Sequence, residues 1–348
     1  MNILVLKPCC AGDVLMTTPL LSTLRAAHPQ ARIDFAVGGW ARGALLTNPD
    51  IDEVLPLYEG VPSGWRRLFG AVRAAARIRF RRYDVAFIPE RSALAHLVAY
   101  LAGVPRRYGI AAFPGSLLLT HAVHDPGNMH EVDLYLRLAE RAGMRASTRR
   151  EMKYIPTQVA LERAWHLLRG AGFDRLPFRV ALFPGTGASP RAALWHKRWP
   201  AERYALLANR LGERYGGGVV LLGDEADRDT NFAIRNDIAY PVLDLTASLD
   251  FDGMAAVIQL CDAMIANDTG PMHLAVAVGT PTIGIFGPTS ARNFGPYGAR
   301  HRAVQAHIYC GPCARQGGPM EGCGAACMQR ITVQDLVSVL ETRAAAVG

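Results

Sequence analysis

No stretch of this 348-residue chain reaches the roughly 18 uninterrupted apolar residues that a membrane-spanning helix needs. The opening run, MNILVLKP, stops at Lys7 and Pro8, too short for a signal-peptide core, so a cytoplasmic protein is expected. A secreted disulfide framework is missing as well, since seven cysteines are an odd number in a long chain without an export signal. Two nucleotide signatures are absent. The turn after the first apolar run, KPCCAGDVL, carries a single glycine, Gly12, where a dinucleotide fold needs G-x-G-x-x-G and a P-loop needs G-K-[ST]. This argues against an NAD-linked dehydrogenase and a P-loop kinase. No RNA-binding module and no basic platform interleaved with aromatics is visible, so no nucleic-acid partner is expected. Internal repeats are lacking, and the one biased tract is an arginine-rich segment at 66–82.

The composition itself is that of a globular protein, 50% hydrophobic and 20% charged. At one domain per roughly 100 to 200 residues the length suggests two. Net charge is +8 and unevenly placed: residues 1–156 hold 20 basic and 13 acidic residues, whereas 157–348 hold 18 and 17. An anionic partner for the first half is the physical implication.

Apolar runs of strand length at 3–6, 33–37, 85–88, 180–183, 219–222, 263–266 and 282–286 alternate with amphipathic helical patterns. The helical patterns fall at 14–27, 134–142, 201–215, 252–261 and 272–278. Parallel βαβ units are the economical reading, hence an α/β fold with doubly wound sheets. The series restarts near Thr157 with a helical segment at 159–170 and a fresh strand ending in a glycine turn. We therefore expect two Rossmann-like domains, 1–156 and 157–348, facing across a cleft, with the last helix free to return to the first. Such sheets bind ligands at the carboxyl ends of their strands.

Candidate residues gather on those ends. Asp13 stands where an N-cap or first-turn carboxylate is expected, a cap being worth about 0.5–2 kcal/mol; a general base at the mouth of the cleft is the functional alternative. FPGTGAS, after the strand at 180–183, offers two glycines together with Thr186 and Ser189, whose backbone N–H groups can wrap a phosphate, though an ordinary strand-to-helix turn looks the same, and Lys197 follows in WHKRWP. In NDTGPMHLAVAVGTP, Pro271 suits a first helical turn, with Asp268, Thr269 and Gly270 at the helix head, a ready anion site. Asp268 would repel a phosphate and better suits orienting backbone groups or sugar hydroxyls. His273 lies one turn into the helix, where a histidine taken alone is more often packed in the core than functional. In LLGDEAD, Asp224 and Glu225 read either as solvated loop acids or as holders of a ribose.

Taken together, K-P-x-x-x-G-D-V-L-x-T-T-P-L-L at 7–21, F-P-G-T-G-A-S at 183–189, K-R-W-P at 197–200, N-D-T-G-P-M-H-L-A-x-A-x-G-T-P at 267–281 and F-G-P-T at 286–289 resemble glycosyltransferase family 9. H-E-V-D-L-Y at 130–135 is similar to the stretch closing that family's N-terminal domain. These are the ADP-heptose:lipopolysaccharide heptosyltransferases and their relatives. The resemblance implies a GT-B fold and an inverting, metal-independent transfer from an ADP-sugar donor. It implies Asp13 as catalytic base, Thr186 and Gly187 on the phosphates, and Lys197 on the diphosphate or sugar. It further implies Glu225 on the ribose, with Asp224 as its neighbour and alternative, and Asp268, Thr269, Gly270 and His273 at the donor-binding helix head. The acceptor is then a lipid-anchored anionic glycan met at the inner membrane surface. Cys9 and Cys10 depart from the pattern, which has small polar residues there.

Two features lie outside these motifs. Cys310, Cys313, Cys323 and Cys327, spaced C-x2-C-x9-C-x3-C, admit a structural zinc or iron site, two disulfides or reduced thiols. The segment at 66–82 holds seven arginines and no acid; Arg66, Arg67 and Arg73 are the acceptor-binding candidates. Its apolar residues, Leu68, Phe69, Val72, Ile78 and Phe80, either pack on the sheet or face an anionic membrane. Three alternatives compete with a lipopolysaccharide-directed enzyme: the same family acting on a protein or small-molecule acceptor, a UDP-sugar epimerase, or a non-catalytic nucleotide-sugar-binding protein.

Overall fold

The computed structural model describes residues 1–57, 64–145, 150–186, 195–313 and 323–344, with side chains for all of these except 64–67 and 342–344. The chain divides into two compact units, Met1–Tyr154 and Ile155–Gly348.

The first unit carries strands β1 (Asn2–Leu6), β2 (Arg32–Val37), β3 (Glu53–Pro56), β4 (Val85–Ile88), β5 (Arg106–Ile110) and β6 (His121–Val123). Its helices are α1 (Ala11–Leu15), α2 (Thr18–Ala27), α3 (Gly64–Arg79), α4 (Ala93–Leu101) and α5 (Glu131–Arg141). All strand pairs are parallel, in the order β3-β2-β1-β4-β5-β6. Burial on both faces explains the unbroken apolar text of the central strands: Ile3, Leu4, Val5 and Leu6 are wholly inaccessible. The helical pattern at 14–27 is two helices. The Thr17 and Thr18 hydroxyls donate to the Val14 and Leu15 carbonyls at 2.6 and 2.7 Å, closing α1, and Pro19 opens α2 in its first turn.

The second unit begins with α6 (Gln158–Gly170) and holds β7 (Arg179–Phe183), β8 (Gly218–Leu221), β9 (Val242–Asp244), β10 (Ala263–Asn267), β11 (Thr282–Phe286) and β12 (Arg302–Gln305). Between and after them lie α7 (Ala201–Tyr215), α8 (Arg228–Asn236), α9 (Phe251–Gln259), α10 (Gly270–Ala277), α11 (Ala291–Phe294), α12 (Ala326–Arg330) and α13 (Val333–Ala344). The parallel order is β12-β11-β10-β7-β8-β9, the first unit's order repeated. α10 is apolar nearly all round and correspondingly buried. The last helix, α13, joins this unit's core: Leu336, Val337 and Leu340 pack with Leu207, Leu211 and Trp199.

Each sheet reverses its winding between its first and fourth strands. A crevice opens outside the carboxyl ends of the strands at such a point, where open α/β sheets bind ligands. In the first unit the loops there follow β1 and β4; in the second they follow β7 and β10.

Candidate active site

At the first switch point, Lys7 follows β1, and its N–H donates to the Ala36 carbonyl at 3.1 Å, extending the ladder to β2. The chain then passes Cys9 and Cys10, joined in a disulfide between adjacent residues; Cys10 adopts φ 72°. This turn sets α1 going and places Asp13 in its first turn, while the cap position falls to Cys10, which makes no side-chain cap bond. Asp13 instead meets Lys7, with Oδ2 3.6 Å from Nζ. Glu90, from the loop after β4, brings Oε2 to 3.4 Å from the same ammonium, which donates to the Tyr135 hydroxyl of α5 at 3.2 Å. The Lys7 side chain is 3% exposed and that of Asp13 27%, so the acid is open to solvent and the lysine is closed beneath it. Burial opposes the Lys7 charge, but Glu90 and then Asp13 outweigh it and hold the ammonium above the ordinary lysine value. Behind this cluster Arg91 binds both carboxylate oxygens of buried Glu131, at 2.6 and 3.1 Å, and reaches Asp125 at 2.8 Å.

At the second switch point one side chain organises the loops. Asn267, at the end of β10, donates from Nδ2 to the Pro184 and Gly185 carbonyls at 2.7 and 3.1 Å. Its Oδ1 accepts from the Trp199 N–H at 3.2 Å and the Tyr204 hydroxyl at 3.1 Å. A buried amide used on both donor and acceptor sides thus fixes the loop after β7, the segment carrying Lys197 and helix α7 relative to Asp268. Lys197 Nζ lies 2.6 Å from Asp268 Oδ2. Burial pushes the Asp268 carboxyl up, but Lys197, reinforced by His273 and Thr289, more than offsets this and holds it below the usual range. Thr269 caps α10, its hydroxyl accepting from the Met272 N–H at 3.4 Å, and Gly270 opens the helix. His273 is buried beside Asp268. Gly185 has no room for a side chain, because a Cβ there would strike the Asp227 carboxylate.

The structure therefore gathers Thr186, Lys197, Asp268, Thr269, Gly270 and His273 at one edge. Gly187 lies outside the described residues. Glu225 stands on the loop after β8, exposed and bonded to Arg228 at 2.6 Å, which lowers its proton affinity. Asp224 caps that turn, accepting from the Ala226 N–H at 2.9 Å. Lys7, Glu90, Tyr135, Asn267 and Asp227 are absent from the sequence-derived candidates. Lys7, Tyr135, Asp227 and Asn267 all stand within stretches quoted above, so a signal is present in the sequence; Glu90 lies outside them and becomes a neighbour of Lys7 through the strand order.

In the basic segment, α3 packs through Ala71, Ala74, Ala75 and Ile78, a stripe at helical spacing. Leu68, Phe69, Val72 and Phe80 remain exposed, so Ile78 is the one large apolar residue of the five that packs on the sheet. Arg73 is on the solvent side; the side chains of Arg66 and Arg67 lie outside the described residues.

The four late cysteines are free thiols, so the two-disulfide reading is corrected. Their described residues do not fit a structural zinc or iron either: among the described residues no three His, Cys, Asp or Glu side chains are grouped to hold a metal ion. Cys327 is core, packed with Met328 beneath Gly287.

The family model for glycosyltransferase family 9 (heptosyltransferase) matches residues 71–323. The chain is 28% identical over 318 residues to lipopolysaccharide heptosyltransferase 2 of Escherichia coli (strain K12), covering 88% of each chain. Among solved structures, a family 9 glycosyltransferase from Veillonella parvula superposes with a TM-score of 0.83 at 22% identity, covering 98% of this chain and 96% of that one. The E. coli ADP-heptose LPS heptosyltransferase II gives 0.76 at 24% identity, with 99% and 98% covered. These likenesses show the GT-B fold, and with a matching family model that spans most of its length, this chain belongs to glycosyltransferase family 9, a family of transferases.

Proposed function

We propose that this glycosyltransferase moves a heptose from an ADP-heptose donor to a hydroxyl of a lipopolysaccharide inner-core-type acceptor, inverting the anomeric carbon with Asp13 as general base. The observation that carries the reading is a partly exposed carboxylate at the first switch point, in a chain whose family and relatives are named for this transfer. The acceptor oxygen attacks the anomeric carbon as its proton passes to Asp13. The bond from that carbon to the β-phosphate oxygen breaks, and its electron pair leaves with ADP. A positioned base of this kind contributes about 10²–10⁴-fold.

The departing charge falls to the second switch point. The Thr186 amide and the head of α10 at Thr269 and Gly270 are fixed donors that need no reorganisation, and Gly187 joins them on the phosphates in this reading. Lys197 is held by Asp268, which takes one of its three ammonium donors. The pair is close to neutral, so the lysine acts as an aimed donor more than as a free cation. Glu225 holds the ribose hydroxyls in this scheme, and His273 supports Asp268 from within the helix. No cofactor enters the scheme.

Incubating the protein with ADP-heptose, and in parallel with UDP- and GDP-sugars, tests the donor. Transfer or hydrolysis confined to ADP-heptose is expected; turnover of another nucleotide sugar instead would refute it.

The acceptor in this reading is anionic and lipid-anchored, with the enzyme in the cytoplasm against the inner membrane face. Arg66, Arg67 and Arg73 then meet its phosphates. Changing all three to glutamine should raise the acceptor KM about tenfold or more, since hydrogen bonds to charged groups contribute on the order of 1.5–3 kcal/mol. ADP-heptose affinity should not move; an equal loss of donor and acceptor binding would contradict the assignment.

A further inference from the structure

The burial of Lys7 is the least explained feature of the first switch point. Its ammonium is 3% exposed and shut beneath Asp13, so it does not present itself to a substrate phosphate. Stability is a weak reason to keep it, because replacing a buried ion pair with apolar side chains is often neutral or stabilising. What the lysine does have is a fixed position. Glu90 holds it from the loop after β4 and Tyr135 from α5, and Tyr135 stays a neutral phenol because burial and the surrounding acids push its proton affinity up. Asp13, by contrast, rides on a helix of five residues entered through a left-handed turn. Such a short helix does little by itself to fix a side chain.

We propose that Lys7 is a positioning residue: gripped by Glu90 and Tyr135, its ammonium fixes the Asp13 carboxylate at the switch point and keeps it ionised during turnover. The inference rests on the reading of Asp13 as general base. Besides Asp13, the charges acting on Lys7 among the described residues are Glu90 and Arg91 from the loop after β4 and Glu131 from α5, with Asp125 beyond Arg91. Lys7 and Arg91 are the cations among them, and Arg91 is committed to Glu131 and Asp125. Removing Lys7 takes away the ammonium that stands 3.6 Å from Asp13 and 3.4 Å from Glu90. The interaction that favours the charged lysine favours the charged aspartate equally, and its loss makes Asp13 take up a proton at higher pH.

The measurement is the pH dependence of kcat/KM for transfer. Lys7→Met should move the acidic limb up by about one to three pH units, the size of shift a close opposite charge produces, with activity recovering at higher pH. Lys7→Arg keeps the charge and should leave the limb in place while lowering kcat, because a planar guanidinium does not repeat the ammonium's geometry. Glu90→Gln removes the competing carboxylate and should move the limb down; it answers the question even if the methionine variant fails to fold. Limbs unmoved in Lys7→Met and Glu90→Gln would overturn the proposal, as would an arginine variant shifted as far as the methionine one. Failure of the base assignment itself is read separately, as full transfer by Asp13→Asn with Lys7 intact.

Discussion

Asp13→Asn is expected to lower kcat for heptose transfer by about 10²–10⁴-fold, the span usually lost with a general base, while ADP-heptose affinity stays unchanged. Asparagine keeps the size and shape of aspartate, so α1 and the turn through Cys10 have no steric reason to shift. It cannot accept the acceptor's proton. Lys7 loses one anionic partner, yet Glu90 at 3.4 Å remains, so the buried ammonium is not stranded. The fold should tolerate the change, and a loss of activity would report on chemistry. The residues proposed to hold the donor, Thr186, Lys197 and the head of α10, belong to the other unit of the chain, which separates the two readouts. Isothermal titration with ADP-heptose and single-turnover transfer kinetics check the pair of expectations. The acidic limb of the pH profile should vanish in this variant, because the group whose ionisation it reports is gone. Undiminished transfer would remove Asp13 from the mechanism.

The contrast between what sequence reveals here and what it hides follows from strand position. The middle strands β1, β4, β7 and β10, together with β11 one strand in from an edge, are buried and appear in the sequence as largely apolar runs. The strands that sequence reading passes over, β3, β5, β6, β9 and β12, lie at or next to sheet edges. They are short and half-exposed, and β5 opens with Arg106 and Arg107. Strand order is likewise invisible in the text, yet it decides the site. Only the reversal between β1 and β4 sets Glu90 beside Lys7, and only that between β7 and β10 lets Asn267 tie Pro184 and Gly185 to Trp199. Motif residues on one loop, such as Asp268, Thr269 and Gly270, are legible because a short segment carries its own geometry. The exposed Leu68, Phe69 and Val72 were open to two readings since a helix with apolar residues on several sides does not declare which stripe is buried; α3 chose its alanines.

Lys197→Met should cost about 3–5 kcal/mol of stability, the penalty for breaking a buried pair from one side, and reduce kcat by about 10²–10³, as removal of one fixed donor to a developing oxyanion does. The stability loss should carry a distinctive pH signature. In the unmodified protein the Asp268 carboxyl is held below its ordinary value: burial raises it, but Lys197 and the weaker help of His273 and Thr289 win. A depressed carboxyl stabilises the fold above its unfolded value, near 3.9, and that contribution is lost as pH falls through the folded value. Without Lys197 the burial effect dominates and the sign reverses. The folded-state value then rises above the unfolded one, the charged carboxylate destabilises the fold at neutral pH, and acidification relieves the strain by protonating it. The gap in melting temperature between the two proteins should therefore be widest at neutral pH and narrow toward pH 4. Adding Asp268→Asn to Lys197→Met removes the stranded charge, so the double variant should regain most of the lost stability. It should not regain leaving-group stabilisation, because the ammonium is still absent. Melting curves across pH and transfer kinetics on the same three proteins separate the two roles: a double variant recovering both stability and rate would make Lys197 a structural counter-ion to Asp268 with no part in ADP departure.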